Sequence, residues 1–224
     1  MIFRLYFALA AKGRFPPILS MKSMLRIVMP VASGVVMTSN ATPEKDRLRI
    51  HWMALFLQLP ELGIADSFPS VVSCNRRLAR TRWPDGPVCE GCTSDNVGFL
   101  DDRQVYYCRD CNYQCSVKAK TFLHRSRLDL RTSFLAAEDV IHCHAYGNEW
   151  SQLTGHAFAE RHCISYVAAR RLKKPLLDDL SQSGGGLMGS CLSTRSIQRP
   201  GEIGENSREH FFWLYDQLPQ PGAL

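Results

Sequence analysis

The chain has 224 residues, 45% of them hydrophobic and 21% charged, room for one ordinary domain or two small ones of a soluble globular kind. A net charge of +6 and a pI near 8.9 give a modest preference for an anionic partner, which counts only where the positive charge clusters. Nine cysteines, an odd number with four of them in two C-x-x-C pairs, argue against a secreted disulfide framework and for a reducing compartment where thiolates stay free for metal.

Residues 1–43 lack regular periodicity and contain Pro16, Pro17, Pro30 and Pro43, so an irregular or disordered extension is expected. The apolar run Met1 to Ala11 is cut short by Lys12, Gly13 and Arg14. The run Leu25 to Met37 is broken by Pro30. Neither reaches the ~20 residues of a bilayer span, and a cytoplasmic protein with no membrane partner is the expectation.

Residues 44–82 read as a helical segment. Leu48, Trp52, Leu55, Phe56 and Leu59 recur at three- and four-residue steps, which predicts a helix with one apolar face, ended by Pro60 and Gly63. A second helix is predicted over Ser70 to Arg82, with Val71, Val72 and Leu78 on one side and Arg76, Arg77 and Arg80 on the other. Over residues 83–122 the pattern shortens to strands at Val97–Leu100, Gln104–Tyr107 and Tyr113–Val117, with a polar turn before Gln104. Helical character returns over 123–180, first at Leu130–Tyr146, then in a pair around Glu149–Glu160 and Ser165–Leu180. From Ser181 Gly and Ser dominate, and 181–224 reads as an irregular tail despite Phe211, Phe212, Trp213 and Tyr215. The fold class expected is α+β: a small rubredoxin-like zinc ribbon of short antiparallel strands flanked by helices, with a candidate helix-turn-helix and irregular termini.

The chemistry sits in the cysteines. Cys89 and Cys92 form one C-x2-C pair, fifteen residues follow, and Cys108 and Cys111 form the second. Zinc takes four ligands in a tetrahedron and suits thiolate sulfur, and a two-residue gap lets one tight knuckle aim two sulfurs at one ion. Gly91 sits inside the first knuckle, where positive φ is expected. About forty residues bury too little apolar surface to be stable alone, whereas structural zinc supplies on the order of 10–16 kcal/mol in small finger peptides. Four sulfur ligands close the site, so a structural Zn2+ is expected and no catalytic residue is assigned. A redox dithiol would account for a lone C-x-x-C but not for two pairs at this spacing. Cys115 is read as a small apolar strand residue. His142, Cys143, His144, His156, His162 and Cys163 are read as helix-face residues rather than a second metal site.

The residues around the cysteines are more specific. Arg82-Trp-Pro-Asp-Gly86 before Cys89, and Tyr106-Tyr-Cys108-Arg-Asp-Cys111 followed by Gln114-Cys-Ser116, resemble the zinc-ribbon domain of one group of bacterial insertion-sequence transposases. The resemblance covers about residues 66 to 137 well and fades toward 180. This sequence departs from the family pattern at Glu90 (usually proline), Thr93 (glycine), Cys115 (phenylalanine) and Lys120 (glycine). These departures are expected to weaken packing around the ribbon and to spare the ligands. The resemblance also implies a ribonuclease-H-like catalytic domain beginning near residue 190, with carboxylates that hold two divalent metals. Here that region reads Ser183-Gly-Gly-Gly-Leu-Met-Gly-Ser190, and Asp178 and Asp179 read as a helix cap. The expectation is a transposase remnant or truncated product.

Two basic sets are candidate DNA contacts. The ribbon side offers Arg109, Lys118, Lys120, Arg125 and Arg127, interspersed with Asp101, Asp102 and Asp110. The second helix of the candidate helix-turn-helix offers Arg170, Arg171, Lys173 and Lys174 after an N-cap at Ser165, with Pro175 expected to kink or end it. A solvated basic helix face is the competing reading. The expected function is zinc-dependent binding of double-stranded element DNA, with a full-length transposase as a further partner. An active transposase completed by another chain or a frameshift, and a protein-interaction ribbon without a DNA role, are the alternatives.

Overall fold

The computed structural model describes residues 44–147 and 154–219. The expected irregular extension over 1–43, and the start of the helix expected at Glu149, lie outside the described residues.

The first apolar stretch forms α1, Glu44–Gln58, with Glu44 and Asp46 in its first turn, where acids offset the helix dipole. It buries Ile50, Trp52, Met53 and Leu55, while Leu48 is 55% exposed. The single apolar face expected from the sequence is therefore wider and turned. The reason is that α1 is held on more than one side, by the helices Leu130–Ala145 and Arg208–Gln217. Gly63, at φ +75°, closes the turn after Pro60 and opens the short α2, Gly63–Ser67. The next helix, α3, Val71–Arg82, starts at a reciprocal cap in which Ser70 and Ser73 each accept the other's backbone N–H. Such a pair satisfies two otherwise orphaned donors.

Three strands follow: β1, Val97–Leu100; β2, Val105–Cys108; and β3, Gln114–Ser116. They form an antiparallel sheet in chain order, with Val97 opposite Cys108, Leu100 opposite Val105 and Tyr106 opposite Cys115. The α+β expectation holds: a small three-stranded antiparallel sheet sits among helices.

The central helix is α4, Leu130–Ala145, capped by the Asp129 carboxylate on the Thr132 N–H at 2.6 Å. Phe134, Ala136, Ala137, Val140 and Ile141 are fully buried on it. Helix α5, Gly155–Arg161, and helix α6, Tyr166–Leu180, are joined by a tight turn and capped by Thr154 and Ser165. Gly155, expected inside the first of these helices, is its first residue.

The structure corrects two expectations here. Pro175 does not end α6, which runs through it to Leu180. A proline in a helix interior costs about 3 kcal/mol, but Leu176 and Leu180 beyond it are fully buried. Each such leucine gains roughly 1.5–3 kcal/mol, so burial wins. The segment read as an irregular tail carries α7, Gly186–Leu192, and α8, Arg208–Gln217. Its glycines serve close packing: a Cβ on Gly185 would lie 2.6 Å from Leu55 Cδ2, and one on Gly186 would lie 2.3 Å from the Asp179 carbonyl oxygen. The Asp179 carboxylate caps α7 by accepting the N–H groups of Leu187 and Met188 at 3.3 and 2.8 Å. The aromatic patch of α8 lies against α1, with the Arg49 guanidinium beside the stacked rings of Phe211 and Tyr215. Arg77 on α3 donates to the carbonyls of Cys191 and Ser193, each at 2.7 Å, tying α7 back to α3. No described helix is long and apolar enough to cross a membrane.

Candidate metal centre and the basic groove beside it

The two cysteine pairs stand on matching turns. In the first, the Cys89 N–H donates to the Ser94 carbonyl at 2.8 Å and the Thr93 N–H to the Cys89 carbonyl at 2.9 Å. In the second, the Cys108 N–H donates to the Tyr113 carbonyl at 2.9 Å and the Asn112 N–H to the Cys108 carbonyl at 3.0 Å. Thr93 and Asn112, each four residues past the first cysteine of its pair, have φ of +62° and +58°. Positive φ was expected at Gly91, and it falls at Thr93 instead. What Gly91 supplies is room: its N–H donates to Cys89 Sγ at 3.3 Å, and a Cβ there would stand 3.4 Å from the Tyr113 ring.

These turns bring the four sulfurs together. Cys89 Sγ lies 3.5 Å from Cys111 Sγ, Cys92 Sγ lies 3.5 Å from Cys108 Sγ, and all four fall within 4.8 Å of one another. A zinc ion with sulfurs at about 2.3 Å in a tetrahedron needs sulfur–sulfur distances of about 3.8 Å. The cluster is therefore compatible with zinc. Burial would raise the Cys89 thiol, yet N–H groups of Cys92 and Gly91 aimed at its sulfur outweigh that and hold it down to about 7, while at Cys92 the Ser94 N–H is outweighed by the thiols of Cys111 and Cys108, which push it up to about 12.

Among the described residues this is the one group of three or more His, Cys, Asp or Glu side chains placed to hold a metal ion. Cys115 stays outside it, half-buried on β3, with burial raising its thiol. His142 packs edge-on against Phe56, His144 stacks on Trp52, His156 stacks on Tyr166, and His162 lies 3.1 Å from the Asp139 carboxylate.

Residues 69–114 match the family model of the transposase zinc-ribbon domain. No curated protein and no solved structure matches the chain. The match spans both cysteine pairs and links this segment to insertion-sequence transposases.

Against that family pattern the departures acquire a physical meaning. Thr93 and Lys120, where the resemblance implies glycines, both sit at positive φ, +62° and +55°, where a side chain costs roughly 1–2 kcal/mol. Glu90, expected to weaken packing, instead joins an ionic cluster. Its carboxylate accepts from Arg82 Nη2 at 2.7 Å and lies 3.6 Å from Lys120 Nζ. Arg82 also donates to the Val117 carbonyl at 2.6 Å and covers the Trp83 ring. No local signal could have revealed this cluster, because its members lie in three separate stretches of chain.

The basic candidates fall in three kinds of place. Arg109 is exposed, held by the Asn96 side chain at 3.2 Å and lying over the Tyr107 ring. Lys118 is turned inward: its ammonium donates to the carbonyls of Ser126 and Leu128, both at 2.9 Å, and burial lowers its pKa. It fixes the loop that carries Arg125 and Arg127. Lys120 is engaged with Glu90. On α6, Arg170, Arg171 and Lys174 are exposed and Lys173 is half-buried.

Arg125, Arg127 and Arg171 come together. A groove of about 670 Å³ runs between the 122–128 loop and α6, lined by these three arginines together with Phe122, His124 and Val167. Arg125 holds φ +59°, a bend in the loop that forms the groove wall. The sequence reading named arginines on both walls but left His124 and Val167 unmarked. His124 adjoins Arg125 and Val167 lies one turn before Arg171, while the two walls themselves meet only in space, across about forty residues of chain.

Proposed function

We propose that this chain is a zinc-held DNA-binding protein of the insertion-sequence transposase kind. The ribbon is kept folded by Zn2+ on Cys89, Cys92, Cys108 and Cys111, and the phosphate backbone of one strand of double-stranded element DNA lies along the groove between the 122–128 loop and α6. The observation that carries this reading is the convergence of Arg125 and Arg127 with Arg171 across one groove. Positive side chains from two separate segments would neutralise phosphates and release their counterions. Helices α5 and α6, joined by a tight turn, support a helix-turn-helix role for the pair. The strand-transfer chemistry is assigned to a full-length transposase acting at the same ends.

Binding of zinc-loaded protein to mixed-sequence 30-bp duplexes, measured by fluorescence anisotropy at rising salt, tests this. Affinity should fall steeply, and glutamine at Arg125, Arg127 or Arg171 should each reduce the slope of log K against log salt by about 0.9. Salt-insensitive binding, or unchanged affinity when Arg170, Arg171, Lys173 and Lys174 are all neutralised, would favour a ribbon that serves protein contacts.

A further inference from the structure

Helix α6 turns Ala169, Leu172, Leu176 and Leu180 inward. Its outward stripe holds Tyr166, Val167, Arg170, Arg171 and Lys174. Val167 is the anomaly in that stripe. It is a β-branched apolar side chain, 57% exposed, set among cations and outside the buried core. Core packing gives no reason for it.

The surface around Val167 supplies a reason. On one side lies the groove of about 670 Å³, whose far wall carries Arg125 and Arg127. On the other lies a shallower hollow of about 410 Å³, bounded by Tyr166 and Arg170. Val167 and Arg171 line both, and the second is lined by α6 residues alone, so this part of α6 forms a ridge with the arginine wall across one hollow and open surface across the other. The ring of Tyr166 is fixed on the ridge, stacked on His156 at 4.3 Å between centroids and lying over Gly155, where a Cβ would come within 2.9 Å of it. A helical ridge with a cationic wall across one side and its own Arg170 on the other has the form that enters the major groove of B-DNA, about 12 Å wide, with phosphates meeting these cations. Apolar side chains at such a crest read one feature of the bases, the C5-methyl group of thymine.

We infer that Val167 is a specificity-determining residue that reads a thymine methyl in the major groove, with Arg125, Arg127, Arg170 and Arg171 on the flanking phosphates. This rests on the DNA-binding reading above and adds the residue that selects sequence. The arginines provide affinity, and Val167 provides preference.

The experiment uses the full, zinc-loaded chain and a randomised 20-bp duplex library. Wild-type protein should select a sequence with at least one required thymine. Replacing that thymine by deoxyuridine, which removes only the methyl group, should weaken wild-type binding about fourfold. Val167→Ser should lose this penalty while keeping the salt slope, and Val167→Ile, which keeps an apolar contact, should retain it. The inference is overturned if wild-type protein binds duplexes without sequence preference, if deoxyuridine weakens wild type and Val167→Ser equally, or if the salt slope falls in Val167→Ser. It is also overturned if an RNA duplex of the selected sequence competes as well as DNA, because the deep, narrow A-form major groove excludes a helix. Failure of wild-type protein to bind any duplex sinks the DNA-binding reading itself, a separate result.

Discussion

The ammonium of Lys120 lies 3.1 Å from the carbonyl oxygen of Glu90 and 3.6 Å from its carboxylate. The two residues, from separate stretches of chain, meet at the first cysteine turn. Their partner Arg82 closes the cluster from the end of α3. The two ion pairs differ in exposure. Arg82 and Glu90 side chains are 13% and 11% exposed, whereas Lys120 is 62% exposed. Glu90→Ala is therefore expected to destabilise the zinc-loaded protein by about 3 kcal/mol, since it leaves a nearly buried guanidinium short of its anion. Lys120→Ala should cost less than about 1 kcal/mol. Urea unfolding of both variants and the double mutant measures each term and their coupling; equal costs would contradict this ranking.

Thr93 should be replaceable with profit. It is exposed and holds φ +62°, a conformation that a β-branched residue adopts at a cost of roughly 1–2 kcal/mol. Its hydroxyl bonds only to the adjacent Cys92 carbonyl. Thr93→Gly is expected to raise stability by about 1 kcal/mol, seen as a higher urea midpoint at fixed zinc.

Metal removal should act locally. The three strands depend on the cysteine turns, while α1, α4, α6 and α7 are held by a buried core that the ribbon borders through Val117 and Tyr106. Chelation, or Cys108→Ser, is expected to abolish amide protection in residues 97–116 and to leave most helical circular dichroism in place. Metal analysis should return one zinc per chain, in keeping with one four-cysteine cluster among the described residues.

The Asp139 carboxyl predicts an acid dependence. Burial raises its pKa, but the hydrogen bond with His162 and the charge of Arg161 outweigh burial and hold it below 3.8. The folded state thus keeps the carboxylate charged where the unfolded chain would begin to protonate it. The stabilisation is present above the unfolded value and is lost as pH falls through the folded one. Amide exchange in α5 should be faster in Asp139→Asn than in wild type at pH 7, and the difference should shrink as pH falls below 3.8.

Asp179 is expected to act as a cap and not as a metal-binding acid. It is 8% exposed and accepts two N–H groups at the start of α7. Asp179→Ala should cost about 2 kcal/mol by stranding those donors, while Asp178→Ala, on an exposed site, should stay within about 0.5 kcal/mol. Thermal unfolding distinguishes them.

The legible parts of this protein were those whose cause is local. Cysteine spacing, Ser165 as a cap and the β1 strand at Val97–Leu100 could all be read from neighbouring residues, because the groups that form them lie within a few positions. The illegible parts were decided at a distance. Gly185 and Gly186 look like loop residues until Leu55 and the Asp179 backbone are seen against them. Pro175 looks like a helix end until the burial of Leu176 and Leu180 is weighed. Lys118 looks like a phosphate contact, and only the positions of Ser126 and Leu128 show that it holds a loop. In the candidate site the ligands were visible and the groove was not, since its two walls belong to segments that the sequence cannot bring together.

The clamp from Arg77 to the end of α7 has a consequence for a nascent chain. Strands β1 to β3 are complete by Ser116, so the cysteine turns can take up metal while α4 is still being made. The helices wait longer. Arg77 on α3 finds its carbonyl partners only when Ser193 has left the ribosome, and α1 gains the cover of α8 only after Gln217. The metal-holding part is thus expected to become rigid early in synthesis, with the last cover of α1 and α3 arriving from α8 and α7.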